Sequence, residues 1–322
     1  MSKPPRETSP KEKNRKTKKI SKKISINAKS VDSKPVDPRS ALIDEKERLE
    51  LARKLNRTRD DTKEIKLSKN IRNIDANSLR IMQYTNTIII PPHLKSLESE
   101  LSKERVSCSC KGDTCELEKC DHEPVYNYHG RLNDETLNFL RKEYNFIIHE
   151  CNKGCECNSS CPNRVTQKGS TVQKEIFSTE SMGLGVRTLE YVAKGTFIGR
   201  YTGRLLTFDE SKNSSSHYMF EMDAASNASM DGNFSIDAAR DGNITRLINH
   251  NCEPNLQTVS VRTEITHPKF HEVAFFTKRD INRGEELFIT YGQDYFKASG
   301  LKCQCPSCQG KRKKKFKYRG IY

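Results

Sequence analysis

A mainly β fold of short strands, flanked by irregular segments that metal holds together, is predicted by three observations. Residues 170–300 alternate short β-like runs with Gly, Asn and Asp turns. Eight of the twelve cysteines fall within residues 108–161, where few regular apolar patterns occur. A last cysteine group, Cys303, Cys305 and Cys308, follows the β-like region. The chain of 322 residues has room for about two average domains and a sizeable core.

Residues 1–40 are rich in Lys, Ser and Pro and cannot bury enough apolar surface to offset their ordering entropy, so a disordered basic tail is expected. Ala41–Asn56 carries mixed charge at helical spacing with Leu42, Leu49 and Leu55, which predicts a short, mostly exposed helix. It opens a helical and linker region over residues 41–105, with order expected in its later part around Thr85–Leu94. Residues 106–169 form the cysteine-rich segment. Within residues 170–292 the expected strands are Thr171–Phe177, Gly185–Thr188, Phe197–Tyr201, Val273–Thr277 and Glu286–Tyr291. Residues 300–322 hold the last cysteines and a basic tail, and no internal repeat has a solenoid period.

The net charge of +15 suggests a polyanionic partner, but its distribution is uneven. Residues 1–40 hold 13 Lys/Arg against 4 Asp/Glu, and residues 311–322 hold 7 basic and no acidic residues. The remaining 37 basic and 38 acidic residues leave the body at −1. Lys11–Lys23 and Lys311–Lys317 fit nuclear import or loose, sequence-independent contact with DNA phosphates. The longest apolar run is Val273–Phe276, far short of the ~20 residues a membrane span needs, so no membrane association is expected. The Lys-rich start lacks the apolar core of a secretory signal. Cysteines in a reducing compartment favour metal ligation over disulfides.

The first cysteine cluster is spaced Cys108-x-Cys110-x4-Cys115-x4-Cys120-x-His122, then Cys151-x3-Cys155-x-Cys157-x3-Cys161. Thiolates this dense repel unless a cation neutralises them, and Zn²⁺ is the commonest solution. Eight cysteines could make two separate tetrahedral sites, or a cluster in which sulfur bridges metals. With His122 as a ninth, terminal ligand, three Zn²⁺ would have their twelve places filled by six terminal ligands and three bridging thiolates.

At Glu150–Gly169 (ECNKGCECNSSCPNRVTQKG) the chain resembles the end of the pre-SET region of SET-domain protein lysine methyltransferases, of the suppressor-of-variegation 3-9 class. The resemblance runs to about residue 310, some 200 residues, and implies a β-rich SET fold with a pseudoknot-like C-terminal part. It implies a three-zinc pre-SET cluster, with His122 standing where the family has its ninth cysteine. Ser181–Arg187 (SMGLGVR) is similar to the Gly-Trp-Gly cofactor loop, assigning Gly183, Leu184 and Gly185 to S-adenosyl-L-methionine, with Leu184 replacing the tryptophan. Arg246–Asn255 (RLINHNCEPN) is similar to Arg-Phe-x-Asn-His-Ser-Cys-x-Pro-Asn, which implies cofactor contacts for Arg246, Asn249 and His250 and zinc ligation for Cys252; Asn251 replaces serine. Cys252 with Cys303, Cys305 and Cys308 would form a post-SET site for one zinc, with a shorter last spacing than the family usually has.

Glu286–Tyr291 (ELFITY) resembles Glu-Leu-Thr-Phe-Asp-Tyr and implies Tyr291 as catalytic tyrosine. Tyr218, in His217–Asp223 (HYMFEMD), matches a second active-site tyrosine that also borders the cofactor. Ile289 occupies the aromatic switch position for product specificity; without a hydroxyl it points toward di- or trimethylation. Arg204 stands where glutamate is usual, and Thr290 replaces the aspartate beside the tyrosine.

The implied function is methyl transfer to lysine nine of histone H3, on the nucleosome, at the chromosome in the nucleus, giving heterochromatin marks. The alternatives are a weak or inactive SET-domain chromatin-binding protein, motivated by the departures at Leu184, Arg204, Ile289 and Thr290, and an enzyme for a non-histone lysine. The oligomeric state is not legible.

Overall fold

Strand β13 (Glu272–Thr277) organises the centre of the molecule in the computed structural model, because its alternate residues feed two different cores. Val273 and Phe275 enter the larger core; Ala274 and Phe276 enter a smaller one. Both faces are covered, so the strand reads as a continuous apolar run rather than an alternating one. Its sheet has the order β3 (Ile147–His149), β12 (Leu256–Arg262), β13, β6 (Phe197–Tyr201). β12 and β13 pair antiparallel from Leu256↔Thr277 to Val261↔Glu272, and β3 joins β12 in parallel. Helix α3 (Asp134–Leu140) supplies Leu137 and Leu140 to the smaller core.

The described residues are 42–96, 99, 107–110, 115, 116, 119–142, 146–222, 234–265 and 270–309. The tail over residues 1–40 and the basic run Lys311–Lys317 lie outside them. Among the described residues, no helix is long and apolar enough to cross a membrane.

Two three-stranded sheets and two two-stranded pairings carry the remaining β structure of the described residues. One three-stranded sheet has the order β1 (Lys66–Leu67), β4 (Lys174–Ser178), β5 (Leu184–Thr188). The other has the order β7 (Arg204–Leu206), β9 (Phe234–Asp237), β8 (Met219–Met222). Between β7 and β8, helix α4 (Phe208–Lys212) starts on a capping box formed by Thr207 and Glu210. The expected strands at residues 185–188, 197–201 and 273–277 are present with small shifts, and Thr171–Phe177 begins three residues later. Glu286–Tyr291 contributes only β14 (Phe288–Ile289), because Glu286 and Leu287 turn aside to a single bridge with β5 and Tyr291 N donates to a side chain.

The N-terminal segment is more structured than its pattern suggested. Helix α1 (Glu45–Asn56) begins at Asp44, whose side chain accepts from Glu47 N at 2.8 Å. It buries Leu51 and Leu55, so the expectation of a mostly exposed helix is corrected; only Leu49 of its leucines is exposed. β1 pairs parallel with β4, and β2 (Gln83–Tyr84), after helix α2 (Asn73–Ile81), pairs parallel with β10 (Asp241–Gly242). Two-residue strands have no readable period, and their partners lie over 100 residues away.

One buried ion pair fastens this segment. Lys174 Nζ lies 2.8 Å from Asp61 Oδ2, with the side chains 2% and 7% exposed. Lys174 also donates to Ile198 O at 2.8 Å, and Asp61 Oδ1 accepts from Ser170 N at 3.1 Å. Breaking such a pair strands a buried charge, whereas replacing both partners does not. Asp61→Ala alone is therefore expected to cost about 3–5 kcal/mol in chemical denaturation, and Asp61→Leu with Lys174→Met to recover most of that loss.

Candidate functional site: thiolate clusters and an aromatic cleft

The cysteine-rich segment brings its donors together around a sulfur core. Cys115 Sγ lies 3.5 Å from Cys108 Sγ and 3.6 Å from Cys151 Sγ. Three sets of four donor atoms, each set within 4.8 Å, are Cys108–Cys110–Cys115–Cys120, Cys108–Cys120–His122–Cys151 and Cys115–Cys151–Cys157–Cys161. His122 is buried, and its Nδ1 is 3.5 Å from both Cys120 Sγ and Cys151 Sγ. Cys155 Sγ sits beside them, accepting from the backbone of Cys108 and Asn152 at 3.4 Å. Burial pushes the Cys115 and Cys151 thiols well above their ordinary range. These sulfurs ionise together only if a cation compensates them, and an all-sulfur and imidazole set suits zinc. Arg164, which sequence reasoning missed, contributes part of that compensation: it is buried, with Nη2 3.6 Å from Cys157 Sγ and 2.6 Å from Asn152 O. Beneath the cluster, the buried Glu150 carboxylate accepts from Tyr126 Oη and Thr166 N at 2.8 Å.

The second thiolate group joins Cys252 to the C-terminal cysteines. Cys252 Sγ lies 3.5 Å from Cys308 Sγ and 3.9 Å from Cys303 Sγ. His250, Cys252, Cys303 and Cys305 also form a four-donor set within 4.8 Å, so His250 competes with Cys308 as a ligand on distance alone. Hydrogen bonding decides against it. His250 Nδ1 accepts the backbone N–H of Tyr291 at 3.0 Å, and burial lowers the imidazole pKa, keeping the ring neutral. The proton then resides on Nε2, which faces Cys252 Sγ at 3.4 Å and donates to it. Neither nitrogen then keeps a lone pair for a metal, so Cys308, 3.5 Å from Cys252 Sγ, is the better candidate for a fourth donor.

The cleft is assembled by a short parallel pairing. β11 (Asn249–His250) runs beside β14, with Asn249↔Phe288 and His250↔Ile289 in register. Asn251 N extends the ladder to Ile289 O at 2.9 Å. Asn249 Nδ2 donates to Leu184 O at 2.9 Å and to Glu286 Oε1 at 3.1 Å. Gly183 has φ +72°. A Cβ on Gly185, at the start of β5, would meet Glu286 Oε1 at 2.6 Å and Thr179 Cγ2 at 2.8 Å, so glycine is what lets these side chains approach the strand this closely. The Leu184 side chain is buried in the larger core.

Arg246 is 5% exposed, with its guanidinium 3.9 Å from the Tyr218 ring centroid. Its Nε and Nη1 are buried without a hydrogen-bond partner, an arrangement that suits a bound anionic group. Tyr218 O accepts from Tyr201 Oη at 2.7 Å. Tyr291 Oη donates to Ile248 O at 2.9 Å, and burial pushes its phenol well above the ordinary range. Helix α5 (Gln293–Ser299) adds Tyr295 and Phe296, edge-on to Tyr291 at 4.9 Å and to His250 at 4.8 Å. Sequence reasoning missed both; the spacing of four from Tyr291 to Tyr295 in a helix start was the available signal. Ile289 is buried. The departures Arg204 and Thr290 lie outside the aromatic group: Arg204 Nη2 is 3.5 Å from Asp241, and Thr290 is exposed.

The donor assignment predicts a sorting by metal analysis. Cys308→Ser is expected to lose the C-terminal metal, while His250→Ala keeps it. His122→Ala is expected to lower total bound zinc relative to wild type, and His122→Cys to restore it; inductively coupled plasma mass spectrometry reads all four.

Residues 58–164 match the pre-SET motif and residues 183–292 the SET domain, together about two thirds of the chain. The histone-lysine N-methyltransferase SUV39H1 of Xenopus laevis is 35% identical over 202 residues, which cover 58% of this chain and 45% of that protein. Among solved structures, Arabidopsis thaliana SUVH6 in complex with SAM aligns with a TM-score of 0.56 and 30% identity, covering 70% of this chain and 48% of the other. The Neurospora SET-domain protein DIM-5, a histone lysine methyltransferase, aligns with a TM-score of 0.58 and 25% identity, covering 71% of this chain and 95% of the other. The chain spans less than half the length of SUV39H1. A pre-SET motif leading into a SET domain, with thiolate clusters capable of holding metal before and after it in the sequence, places the chain in the suppressor-of-variegation 3-9 class of SET-domain proteins.

Proposed function

We propose that the protein is a histone-lysine N-methyltransferase that uses S-adenosyl-L-methionine to methylate lysine nine of histone H3 on nucleosomes. One observation carries this reading: the parallel pairing of β11 with β14, which joins Asn249 and the start of β5 to Tyr291. The cofactor supplies a methyl group on a sulfonium. The orphaned nitrogens of Arg246, the two glycines and Asn249 are the residues that would hold it, joined by the Tyr218 ring. The three donor sets of the pre-SET cluster support three structural zinc ions there, and the Cys252–Cys308 group supports one more. With eight thiolates and neutral His122, a three-zinc cluster carries a net charge of −2, one unit less negative than with nine cysteines.

The substrate amine must arrive unprotonated. A free lysine with a pKa near ~10.4 has fewer than about one amine in a thousand in that form at neutral pH. An aromatic channel disfavours the ammonium by desolvation, and the proton leaves to solvent. Tyr291 does not take it, because burial keeps its phenol protonated; Tyr295, Tyr218 and Glu286 add to the effect. Its hydrogen is committed to Ile248 O, so its oxygen serves as acceptor and orients the amine N–H. Ile289 offers no hydroxyl to hold a water against a methylated amine, which favours di- and trimethyl products. Arg204 and Thr290 lie apart from these groups, so neither favours the inactive reading. The histone-lysine methyltransferase relatives support a chromosomal, nuclear site of action. The basic tails would add loose DNA contact.

A radiolabelled-methyl assay on H3 tail peptides tests the reading. Wild type is expected to label the native peptide and not one with lysine nine replaced by arginine. Tyr291→Phe is expected to lower turnover by about 10²–10³-fold with cofactor affinity unchanged. Mass analysis should show di- and trimethyl products, shifted toward monomethyl by Ile289→Tyr.

A further inference from the structure

We propose that Glu286 is a positioning residue for the cofactor cleft, acting by clamping the Asn249 amide against the Leu184–Gly185 start of β5. The inference rests on the cleft being the S-adenosylmethionine site. The backbone of Glu286 is fixed on both sides: it bridges Arg187, the next residue Leu287 donates to Val186 O at 2.8 Å, and Asn255 Nδ2 donates to Glu286 O at 2.8 Å. Its side chain is thereby aimed at the start of β5. Asn249 Nδ2 has two hydrogens, and both are used, one on Leu184 O and one on Glu286 Oε1. The amide oxygen of Asn249 is what remains to meet a ligand. Glu286 Oε1 also lies where a Gly185 side chain would be, so carboxylate, amide and glycine are packed as one unit.

The carboxylate does this without an ion pair of its own. Arg187 lies near enough to act on its charge, but the Arg187 guanidinium is bound to Glu175 at 2.5 and 2.7 Å and covers the Phe177 ring at 4.7 Å. Leu184, Thr179 and Asn249 face it as neutral groups, and the Tyr291 phenol is protonated. The neighbouring carboxylate, Glu285, is held by Arg279 and Asn255. Burial therefore pushes the Glu286 carboxyl up to about 7, against the pull of Asn249 and Arg187. Ionised, it accepts fully from Asn249. Protonated, it is a weaker acceptor and adds a hydrogen that needs its own partner, which loosens the clamp. Cofactor affinity thus rises as pH rises through about 7. Each unit by which the bound state lowers that pKa is worth about tenfold in affinity.

Calorimetric titration of the intact protein with S-adenosylmethionine from about pH 6 to pH 7.5 tests this. Wild type is expected to bind several-fold more tightly at the upper end. Glu286→Gln keeps shape but cannot ionise, and is expected to bind weakly with a flat profile. Asn249→Ala, with nothing left to clamp, is expected to lose the pH dependence as well, which keeps the test open if Glu286→Gln fails to fold. The cofactor's own amino group titrates near ~8 in all three proteins, so the comparison is read below that range, between about pH 6 and pH 7.5. Parallel profiles for wild type and either variant would overturn the positioning role while leaving the proposed function standing. Absence of binding by wild type at any pH would remove both.

Discussion

Four residues in parallel register, Asn249–His250 against Phe288–Ile289, are the contact on which the rest of the active region depends. The two segments are about forty residues apart, and so short a ladder cannot hold itself together. It is secured by side chains instead. Asn255 accepts from Phe288 N and donates to Glu286 O, locking β14 from one side. His250 accepts from Tyr291 N on the other side. The larger core packs Ile248, Leu287 and Ile289 beneath it. Function is possible because a weak backbone pairing is over-determined by polar contacts that each also carry a site residue.

His250 extends that pairing to the metal sites. Its ring is bonded at one nitrogen to the Tyr291 backbone and at the other to the Cys252 sulfur. A metal-bound thiolate is a better hydrogen-bond acceptor than a thiol, so metal loading would strengthen the same contact that positions the Tyr291 segment. The larger thiolate cluster organises the cysteine-rich segment itself. There, regular secondary structure is sparse, and Arg164 and Asn163 bond directly to the sulfurs Cys157 and Cys151.

The legible parts of the molecule were those with local signals. Cysteine spacing located both donor groups, and the apolar run at Val273–Phe276 located the central strand. The motif at Arg246–Asn255 is local too, and the structure gathers Arg246, Asn249, His250 and Asn255 from it around the β11–β14 ladder. What escaped was non-local. β1 and β2 are two residues long and are defined by partners on β4 and β10, so neither has a period of its own. The Asp61–Lys174 pair gives no sign in the sequence, since each residue alone looks like an ordinary surface charge. Strand β12 (LQTVSVR) alternates only in part, because its ends serve different cores. Tyr295 and Glu286 were hidden differently: Tyr295 lies just past a recognised motif, and Glu286 opens that motif without a role of its own being read from it.

The departures from the family pattern become intelligible once contacts are separated into backbone and side-chain types. At Leu184 the cleft uses the carbonyl, which accepts from Asn249, while the side chain is buried in the core; replacing tryptophan by leucine leaves that hydrogen bond available. At Asn251 the backbone N–H extends the ladder to Ile289, and the side chain caps Glu253 N at 2.9 Å, as a serine hydroxyl would. Thr290 is exposed, between a ladder residue and Tyr291, and its hydroxyl serves only Gly292 N at 3.3 Å. Ile289 is different, because there the side chain itself is what distinguishes the position. The departures therefore leave the hydrogen bonds that join Asn249 to Leu184 and Asn251 to Ile289 in place, and of them only Ile289 changes a buried side chain within the β11–β14 ladder. Under the proposed methyltransferase reading, that difference bears on how many methyl groups the cleft accepts rather than on whether transfer occurs.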